Sequence, residues 1–518
     1  MLNFTIPAFN EKNCIENIEN NNSRVYAFSN ADEGDFGSYV GLLLEKGFEK
    51  KENYVRDGQH YAAFSNGDTG VFINYFGTVG DMFIAVDEKC NYFEFEDKGG
   101  EAVVVPQITQ VKLEDYGMCY AIRLSDGRYI VIDGGRGFER EVDRLYKCLT
   151  EGSPYNKPTI SMWILTHPHS DHFHGYMAFM EKYAERVNIE SYLLNFPESD
   201  DLTHYPLLAS KDFRFVDSSG CTNIPIMYKW MEKSGAPIYT AHTGQSYRVG
   251  DAYFSILASI DDTIHLTDSI NATSLVLRME LAGQVILWAT DAPFSTDKLN
   301  ERYGDFLKAD ILQVPHHGFQ GGTTESEITG YKLIRPDVCL LPVNDYNGFT
   351  VFCAFKESTA FLMTKAGVKE MITGSTQRTI SLPYTAAPYG EAELRSKYEE
   401  GQRSAGAKVW FFTDLNTANE SDLNFTLINT TLTLATVWID LYFEDHNRNV
   451  RDIKFELKSQ RTSRINVIGD AVDGDAVFFN WMSLKDKGVP ENAFVSARFR
   501  SNVPIIVASK EHSPAYHS

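Results

Sequence analysis

The residues best suited to chemistry lie in one short segment, Thr166–Gly175, with the sequence THPHSDHFHG. His167 and His169 are two residues apart on a predicted tight turn, so both imidazoles can face one cation. Asp171 and His172 follow at the predicted start of a helix and can face a second cation. Neutral imidazole and carboxylate groups suit zinc, manganese or iron. Because buried polar groups are costly without a partner, we interpret the segment as a metal site rather than an exposed polar loop.

Two later predicted strands also end in potential metal ligands. VILWATDA ends near Asp291, and ILQVPHHGFQGG carries His316 and His317 before a Gly-rich loop. A single Asp or His at such a place is usually a helix cap or a surface residue. Three such strand ends in one chain are much rarer, and one layered sheet could gather them at a single edge. We therefore predict that the three segments form one metal centre.

Residues 106–385 supply the elements that would position these groups. CYAIRLSDGRYIVIDGG predicts a hairpin, and it is followed by the helical pattern REVDRLYKCLTE and the apolar strand TISMWIL. SLVLRMELAGQVILWATDA repeats the hairpin around Gly283, and ADILQVP and VCLLPVN predict further buried strands. Strands that alternate with helices and hairpins are typical of a layered α/β domain.

The flanking regions differ from this central part. Residues 1–105 combine a helical stretch, SYVGLLLEKGFEKKE, with alternating strands, which predicts a small α+β domain without clustered ligands. Residues 386–407 contain Pro, Gly, Ala and charge without apolar periodicity, which predicts a linker. Residues 408–518 are alternating β-formers separated by turns, which predicts an all-β sandwich. The fold class is therefore α/β multidomain.

Composition limits the possible functions of these 518 residues. The net charge of −22 repels nucleic-acid backbones at long range, so nucleic-acid binding is disfavoured unless a local basic groove exists. No apolar run reaches the roughly 18 to 20 residues of a membrane helix, and no membrane partner is expected. The N-terminus lacks a basic leader with an apolar core, and the seven cysteines show no paired spacing. We therefore expect a cytoplasmic protein.

At its ligand-bearing segments the chain resembles the metallo-β-lactamase-fold hydrolases, over about residues 106–385. IVIDGG, HPHSDH in the form H-x-H-x-D-H, WATDA and VPHHG occur in the order of that family. The pattern NATSLVLR, then a hairpin, an Asp and PHHG, is most similar to the branch that includes the hydrolase domain of DNA-uptake competence proteins and related phosphoesterases. The resemblance implies a central αββα sandwich with a metal site at one edge of its paired sheets.

The same resemblance implies one or two divalent metal ions, zinc above all, with manganese or iron as alternatives. It places His167 and His169 on one ion, Asp171, His172 and His316 on the second, and Asp291 between both. Related branches have a further histidine where this chain has Asn271. We therefore expect the first ion to be held loosely, to use water as a ligand, or to borrow His265, and a single-ion centre stays open.

The implied mechanism is attack by a metal-activated hydroxide on an ester, amide or phosphoester. Asp171, besides ligating, can orient the attacking water or accept its proton. His317 can serve as a substrate clamp or proton donor, and the roles of His316 and His317 could be reversed. Asp133 at the end of YIVIDGG is expected to support the site rather than to ligate a metal, because no histidine follows it.

Two functions from different classes follow. The favoured one is a metal-dependent hydrolase of a small-molecule or oligomeric phosphoester, either a phosphodiester or a phosphomonoester. The alternative is a non-catalytic binding or oligomerisation protein with a degenerate structural metal site. Chelation should stop turnover by a hydrolase that stays folded, whereas it should first destabilise a protein with a structural site.

The C-terminal region has its own resemblance. KVWFFTD, TVWIDLYFED and GVPENAFVSARFRSNVPIIVASKEH resemble the small soluble transducer proteins that partner microbial sensory rhodopsins, over about residues 408–518. The resemblance implies a β-sandwich that assembles into oligomers. We expect a homo-oligomer formed through this domain.

Overall fold

The computed structural model describes most of the chain, in the following ranges: 14–20, 23–114, 116–196, 218–263, 270–292, 299–318, 328–343, 363, 366–387, 406–416, 422–429, 431, 434–458, 462–467, 479–490 and 493–512. The chain folds into two compact units, Met1–Asn344 with Lys365–Pro388, and Asp345–Thr364 with Tyr389–Ser518. The predicted N-terminal and hydrolase domains both belong to the first unit. Most of the predicted linker and the Gly-rich loop after His317 fall outside the described residues, and the predicted domain boundaries stay predictions.

The N-terminal region is an antiparallel sheet with one helix. Its elements are β1 (Cys14–Asn20), β2 (Ser23–Phe28), α1 (Glu33–Glu45), β3 (Glu49–Arg56), β4 (Gln59–Asn66), β5 (Thr69–Phe76) and β6 (Asp81–Asp87). The strand order is β1-β2-β6-β5-β4-β3. Asp32 and Asp35 form a capping box that starts α1. One face of the sheet packs on α1, and the other, with Tyr61 and Phe72, joins the core of the neighbouring sheets. The expected α+β region is confirmed.

The next sheet carries the first ligand segment. Its elements are β7 (Gln107–Gln110), β8 (Cys119–Arg123), β9 (Tyr129–Asp133), α2 (Glu139–Gly152), β10 (Thr159–Ile164), α3 (Ser170–Tyr183), β11 (Asn188–Ile189), β12 (Tyr192–Leu194), α4 (Ser218–Ser234) and β13 (Ile238–Thr240). The elements that follow are β14 (Ser246–Val249), β15 (Ala252–Ala258), α5 (Ile260–Thr263), β16 (Val276–Leu281), β17 (Gln284–Trp288), α6 (Leu299–Tyr303), β18 (Ile311–Gln313), α7 (Ile328–Ile334), β19 (Val338–Leu341), β20 (Glu370–Thr373) and β21 (Arg378–Ser381).

These strands form two sheets that pack face to face. One has the order β13-β12-β10-β9-β8-β7-β21, with β11 beside β10, and the other runs β14-β15-β16-β17-β18-β19-β20. Alternation along β9 explains the packing, because Ile130 and Ile132 face the core shared with Trp288 of the second sheet. Val131 points the other way, into the core under α2, α3 and α4. The layered α/β architecture is confirmed.

The C-terminal unit is strand-rich, as the sequence predicts. Its strands are β22 (Ala407–Asn416), β23 (Asp422–Ile428), β24 (Ala435–Phe443), β25 (Val450–Leu457), β26 (Thr462–Asn466), β27 (Phe479–Ser483) and β28 (Phe494–His512). The order is β25-β24-β28-β23-β26-β27, with β22 also on β28. The long strand β28 pairs with β24 in its first half and with β23 in its second, around one apolar core. Across the described residues, no helix has the length and apolar character needed to cross a membrane.

Candidate metal centre

The predicted ligand segments all follow the carboxyl ends of parallel strands. The strands β9 and β10 are parallel neighbours in one sheet, and β17 and β18 are parallel neighbours in the other. Parallel strands end at the same edge, and open α/β sheets bind ligands there. The segment after β10 carries His167, the segment after β17 carries Asp291, and the turn after β18 carries His317. The two packed sheets therefore bring the three segments together.

A backbone contact between two glycines fixes the start of α3. A Cβ atom on Gly175 would collide with the carbonyl oxygen of Gly134. The Gly134 amide donates to the His172 carbonyl at 2.6 Å, and the Gly175 amide donates to the Gly135 carbonyl at 2.9 Å. The first turn of α3, which carries Asp171 and His172, is therefore held directly against the end of β9.

Four buried side chains converge at this edge. The Nε2 atom of His317 lies 3.1 Å from Asp171 Oδ2 and 3.3 Å from Asp291 Oδ2. The Nε2 atom of His172 lies 3.3 Å from Asp291 Oδ2 and 3.2 Å from His317 Nε2. The ligand atoms of Asp171, His172 and His317 all lie within 4.8 Å of one another, a spacing that could hold a metal ion.

A second group of potential ligands shares two of these residues. It consists of His167, His172 and Asp291. The Nε2 atom of His167 lies 3.7 Å from Asp291 Oδ2 and 3.0 Å from the Nδ1 atom of His169. His172 therefore belongs to both groups, and Asp291 of the second group also lies beside His317 of the first. His169 flanks the second group.

The two neighbouring histidines after β18 point to different partners. Both adopt left-handed backbone angles, with φ of 48° at His316 and 52° at His317. The His316 amide donates to the Thr290 carbonyl at 2.9 Å, which ties the turn to the segment of Asp291. His317 enters the group with Asp171, whereas His316 receives a hydrogen bond of 3.1 Å from Asn271 Nδ2. The structure thus places His317, rather than His316, with Asp171 and His172. The ligand assignment itself stays a prediction.

Asp133 supports the metal centre through hydrogen bonds to His172 and Thr166. It is fully buried, and its Oδ2 accepts hydrogen bonds from His172 Nδ1 at 2.7 Å and from Thr166 Oγ1 at 2.8 Å. Its Oδ1 accepts from the Thr166 amide at 2.8 Å. A proton fixed on Nδ1 leaves Nε2 of His172 as the atom that faces the other ligands. The sequence had predicted a supporting place for Asp133 but missed Thr166, whose only signal is its position between the strand and His167.

Burial keeps two of the imidazoles neutral. It lowers the pKa of His167 well below its usual value, and the imidazoles of His172 and His169 lower it further. Burial also lowers the pKa of His169 to about 4, although the carboxylates of Asp171 and Asp291 oppose this. Neutral imidazole is the form that binds metals.

The neighbouring carboxylates favour the protonated form of the imidazoles of His172 and His317. Burial lowers the pKa of His172 and His317, but the carboxylates, with Asp291 foremost, outweigh it. The pKa of His172 is raised well above its usual value and that of His317 to about 9. Burial raises the pKa of Asp171 and Asp291, but His172 and His317 outweigh it and lower both. The acidic groups therefore require positive charge at this point.

One unsatisfied atom shows that a metal ion fits. The Oδ1 atom of Asp291 is buried and accepts no hydrogen bond from the described residues. A buried carboxylate oxygen without a donor is costly, and a cation would satisfy it. Oxygen and nitrogen ligands in this combination suit zinc, manganese or iron.

Two further residues at the centre were missed by sequence reasoning. The ring of Tyr116 lies 5.7 Å from the ring of His317. The guanidinium of Arg136 lies over the Tyr116 ring at 4.3 Å and donates a hydrogen bond of 2.9 Å to its hydroxyl. Arg136 follows the IVIDGG segment directly, but neither residue type is a metal ligand, and so neither stood out.

Solved structures with low similarity to the chain include two that cover about half of it. YhfI from Bacillus subtilis, a metallo-beta-lactamase fold protein, is 11% identical, with 57% of this chain and 92% of that chain covered and a TM-score of 0.28. A mutant of the CmlA beta-hydroxylase is 12% identical, with 54% and 55% covered and a TM-score of 0.31. The Anabaena sensory rhodopsin transducer is 18% identical, with 20% and 88% covered and a TM-score of 0.16. A search of curated proteins finds no match.

A family model gives the clearest comparison. The model of the Metallo-beta-lactamase superfamily matches residues 114–215, which include Asp133 and the whole HPHSDH segment. The chain is therefore similar to the metallo-beta-lactamase superfamily over residues 114–215.

Proposed function

We propose that this protein is a metal-dependent phosphoesterase with a two-ion centre. The observation that carries the proposal is the position of Asp291, whose Oδ2 lies 3.7 Å from the Nε2 of His167 and 3.3 Å from those of His172 and His317. A carboxylate that lies beside histidines of both ligand groups suits two ions a few ångströms apart. Such a pair can stabilise both the attacking and the leaving oxygen of a phosphoryl transfer.

The side chains divide the work around the ions. A bound divalent ion would lower the pKa of a coordinated water toward about 7 and polarise the substrate. Asp171 is 8% exposed, whereas His172 is fully buried and Asp291 is 2% exposed, so Asp171 is the carboxylate nearest the solvent. It is therefore the group best placed to orient the attacking water and accept its proton. Asp133 holds the tautomer of His172 throughout.

The placement of the two histidines after β18 supports the reversed assignment. We propose that His317 ligates the second ion with Asp171 and His172. His316 is half-buried beside Asn271 and is then the residue left to contact substrate. The phosphoester preference is supported by the PHHG segment and by the carboxylate-rich ligand set, which suits ions that bind phosphoryl oxygens.

A metal analysis combined with a substrate panel tests the proposal. We expect one or two equivalents of zinc, manganese or iron, and hydrolysis of bis-p-nitrophenyl phosphate or p-nitrophenyl phosphate in preference to p-nitrophenyl acetate and nitrocefin. Asp171→Asn should abolish turnover while the protein stays folded. His174→Ala is the matched control, because His174 lies on the same helix but contacts Asn223 instead of the centre. A protein without stoichiometric transition metal would contradict the proposal.

Asn271 favours a second candidate, a structural metal site. Asn271 occupies the place where related branches have a ligating histidine, and its Nδ2 contacts His316 instead of the ligand groups. In this case chelation should lower the melting temperature, and no substrate of the panel should be turned over. Chelation that stops turnover without unfolding would exclude this candidate.

The location, metal and assembly of the protein are also proposed. We infer zinc as the resident metal, a cytoplasmic location, a small or oligomeric phosphoester as substrate and a homo-oligomer formed through residues 408–518. Support for assembly comes from Val409 and Phe411, which lie on one face of β22 and are 47% and 68% exposed. Light scattering on the full chain and on the Phe411→Ser variant tests this, and a monomeric unmodified chain would contradict it.

A further inference from the structure

A second buried ionic cluster lies in the same unit as the metal centre. His242 is fully buried between two carboxylates, with Nδ1 at 2.5 Å from Asp261 Oδ2 and Nε2 at 3.3 Å from Asp87 Oδ2. Burial lowers the pKa of His242, but Asp261 and Asp87 outweigh it and raise the value to about 10. The imidazolium is therefore held by one carboxylate on each side.

The cluster joins two regions that are distant in the sequence. Asp87 is the last residue of β6 in the N-terminal sheet, and His242 follows β13 by two residues. The ring of Phe72, on β5 of the same N-terminal sheet, stacks on His242 with centroids 4.7 Å apart. The N-terminal sheet therefore contacts His242 twice, through Phe72 on the ring face and through Asp87 at Nε2.

Asp261 begins the connection that leads to the metal centre. It lies in α5, and it also accepts hydrogen bonds of 3.2 Å from Asn195 and from Ser259. The helix α5 contacts β2 and β6 of the N-terminal sheet and also the short 3-10 turn Ile270–Thr273. Residues 259–263, the first described part of the connection 259–275, are thus anchored on the N-terminal sheet.

The other end of this connection lies at the metal centre. Asn271 in the 3-10 turn donates to His316, and the Leu275 amide donates to the carbonyl of Thr166 at 3.1 Å. Thr166 directly precedes His167 and also supports Asp133. Because α5 contacts the 3-10 turn directly, a displacement of α5 would reach the residues around the candidate ligands.

We infer that Asp87 and His242 are positioning residues for the metal centre. Through the cluster Asp87–His242–Asp261, the N-terminal sheet holds α5 and, by its contact, the 3-10 turn Ile270–Thr273, so that Asn271 meets His316 beside the ligands. The N-terminal region therefore positions the residues on the Asn271 side of the metal centre. The contacts support this inference by themselves, and only its kinetic test rests on the proposed function.

Hydrogen-exchange mass spectrometry of Asp87→Asn tests the inference directly. The substitution keeps the shape of the side chain but removes its charge, and loss of a charge-assisted hydrogen bond is expected to speed exchange about tenfold in peptides from 259–275. Asp81→Asn is the matched control, because Asp81 begins the same strand β6 and pairs with Arg302 at 3.7 Å instead. The control should speed exchange near Leu299–Tyr303 and leave 259–275 unchanged. Unchanged exchange in Asp87→Asn, or equal effects of both variants on 259–275, would overturn the inference.

Two further variants separate positioning from general loss of stability. Phe72→Leu removes the ring stacked on His242 but keeps every charge, and it should speed exchange in 259–275 by a smaller factor. Asp87→Glu keeps the carboxylate and should restore slow exchange in part. If Asp87→Asn does not fold, Phe72→Leu decides the inference, and normal exchange in 259–275 of that variant would overturn it.

A double-mutant cycle links the cluster to the reaction. On the preferred phosphoester, Asp87→Asn should lower kcat/KM about tenfold in the unmodified background and much less in the Asn271→Ala background. Additive effects would overturn the inference while leaving the proposed function intact. If no phosphoester is turned over at all, the proposed function fails, and the exchange measurements still decide the role of Asp87.

Discussion

The two buried clusters of histidine and aspartate in the first unit use the same residue types for different purposes. In the cluster around His242, both oxygens of Asp261 accept hydrogen bonds, and Asp87 accepts from His242 and from the Lys89 amide. In the metal centre, Asp291 Oδ1 accepts none from the described residues, and three carboxylates surround His172. A cluster whose carboxylate oxygens all accept hydrogen bonds stabilises the contact between two elements. A cluster with an unsatisfied carboxylate oxygen can bind a ligand. The two clusters therefore differ in whether every carboxylate oxygen accepts a hydrogen bond.

Replacement of Asp291 should give the largest effect. Asp291→Asn is expected to lower kcat by about 10³-fold or more, because it removes the carboxylate charge that lies beside histidines of both ligand groups. Metal content, measured by plasma emission after dialysis, should fall in parallel. Asp261→Asn, in the satisfied cluster, should keep its full metal content. Loss of metal from both variants would remove the distinction between the clusters.

His242 should contribute to stability in a pH-dependent way. His242→Gln is expected to cost about 3–5 kcal/mol at pH 6, because two buried carboxylates lose their cation. The pKa of His242 in the folded protein, about 10, lies above its ordinary value of 6.5. The contribution is therefore complete below pH 6.5 and is lost as the pH rises through 10.

Urea unfolding of both proteins between pH 6 and 10 measures this dependence. The difference between the wild type and His242→Gln should shrink steadily as the pH increases. A constant difference across this range would show that His242 is neutral in the folded protein and that the cluster is not ionic.

The support behind the metal centre should matter less than the ligands themselves. Thr166→Val keeps the shape of the side chain but removes the hydroxyl that donates to Asp133. Loss of such a supporting hydrogen bond typically weakens metal binding about 10- to 100-fold. Competition with a chromophoric chelator measures the affinity. Thr243→Val, near the other cluster, should leave the affinity unchanged, and an equal loss there would point to a general effect on folding.

The smallest expected effect is a gain at Asn271. Asn271→His places an imidazole where the resemblance to metallo-β-lactamase-fold hydrolases implies a ligand, and it should tighten binding of the more weakly held ion about tenfold. Calorimetric titration of the metal-free protein with zinc resolves the two steps. If the substitution tightens the binding of the more strongly held ion instead, Asn271 lies beside the other ligand group.

The order of the ligand segments could be predicted from the sequence, because each follows an apolar strand and parallel strands end at one edge. The choice between His316 and His317 could not be predicted. It depends on two successive residues with left-handed backbone angles, which direct the adjacent rings toward different partners. The His242 cluster gave no local signal either, because its partner Asp87 is 155 residues away.

A similar limit applies to the N-terminal helix. The stretch SYVGLLLEKGFEKKE has helical periodicity, but α1 ends at Glu45 and the charged residues after Gly47 form β3. Gly47 has φ of 84°, a conformation that ends the helix, and pairing with β4 then decides the structure of the following residues. Local propensity predicted the helix, and the non-local sheet pairing determined where it stops.

The contact between Gly134 and Gly175 has a consequence for how the centre can vary. Because main chain touches main chain there, the separation between the end of β9 and the first turn of α3 does not depend on which side chains fill the surrounding core. Apolar residues of either sheet can therefore be exchanged for others of similar volume without moving Asp171 or His172 relative to Asp133. A methyl group at either glycine would instead push the end of β9 and the first turn of α3 apart, and Asp133 would lose its position beside His172.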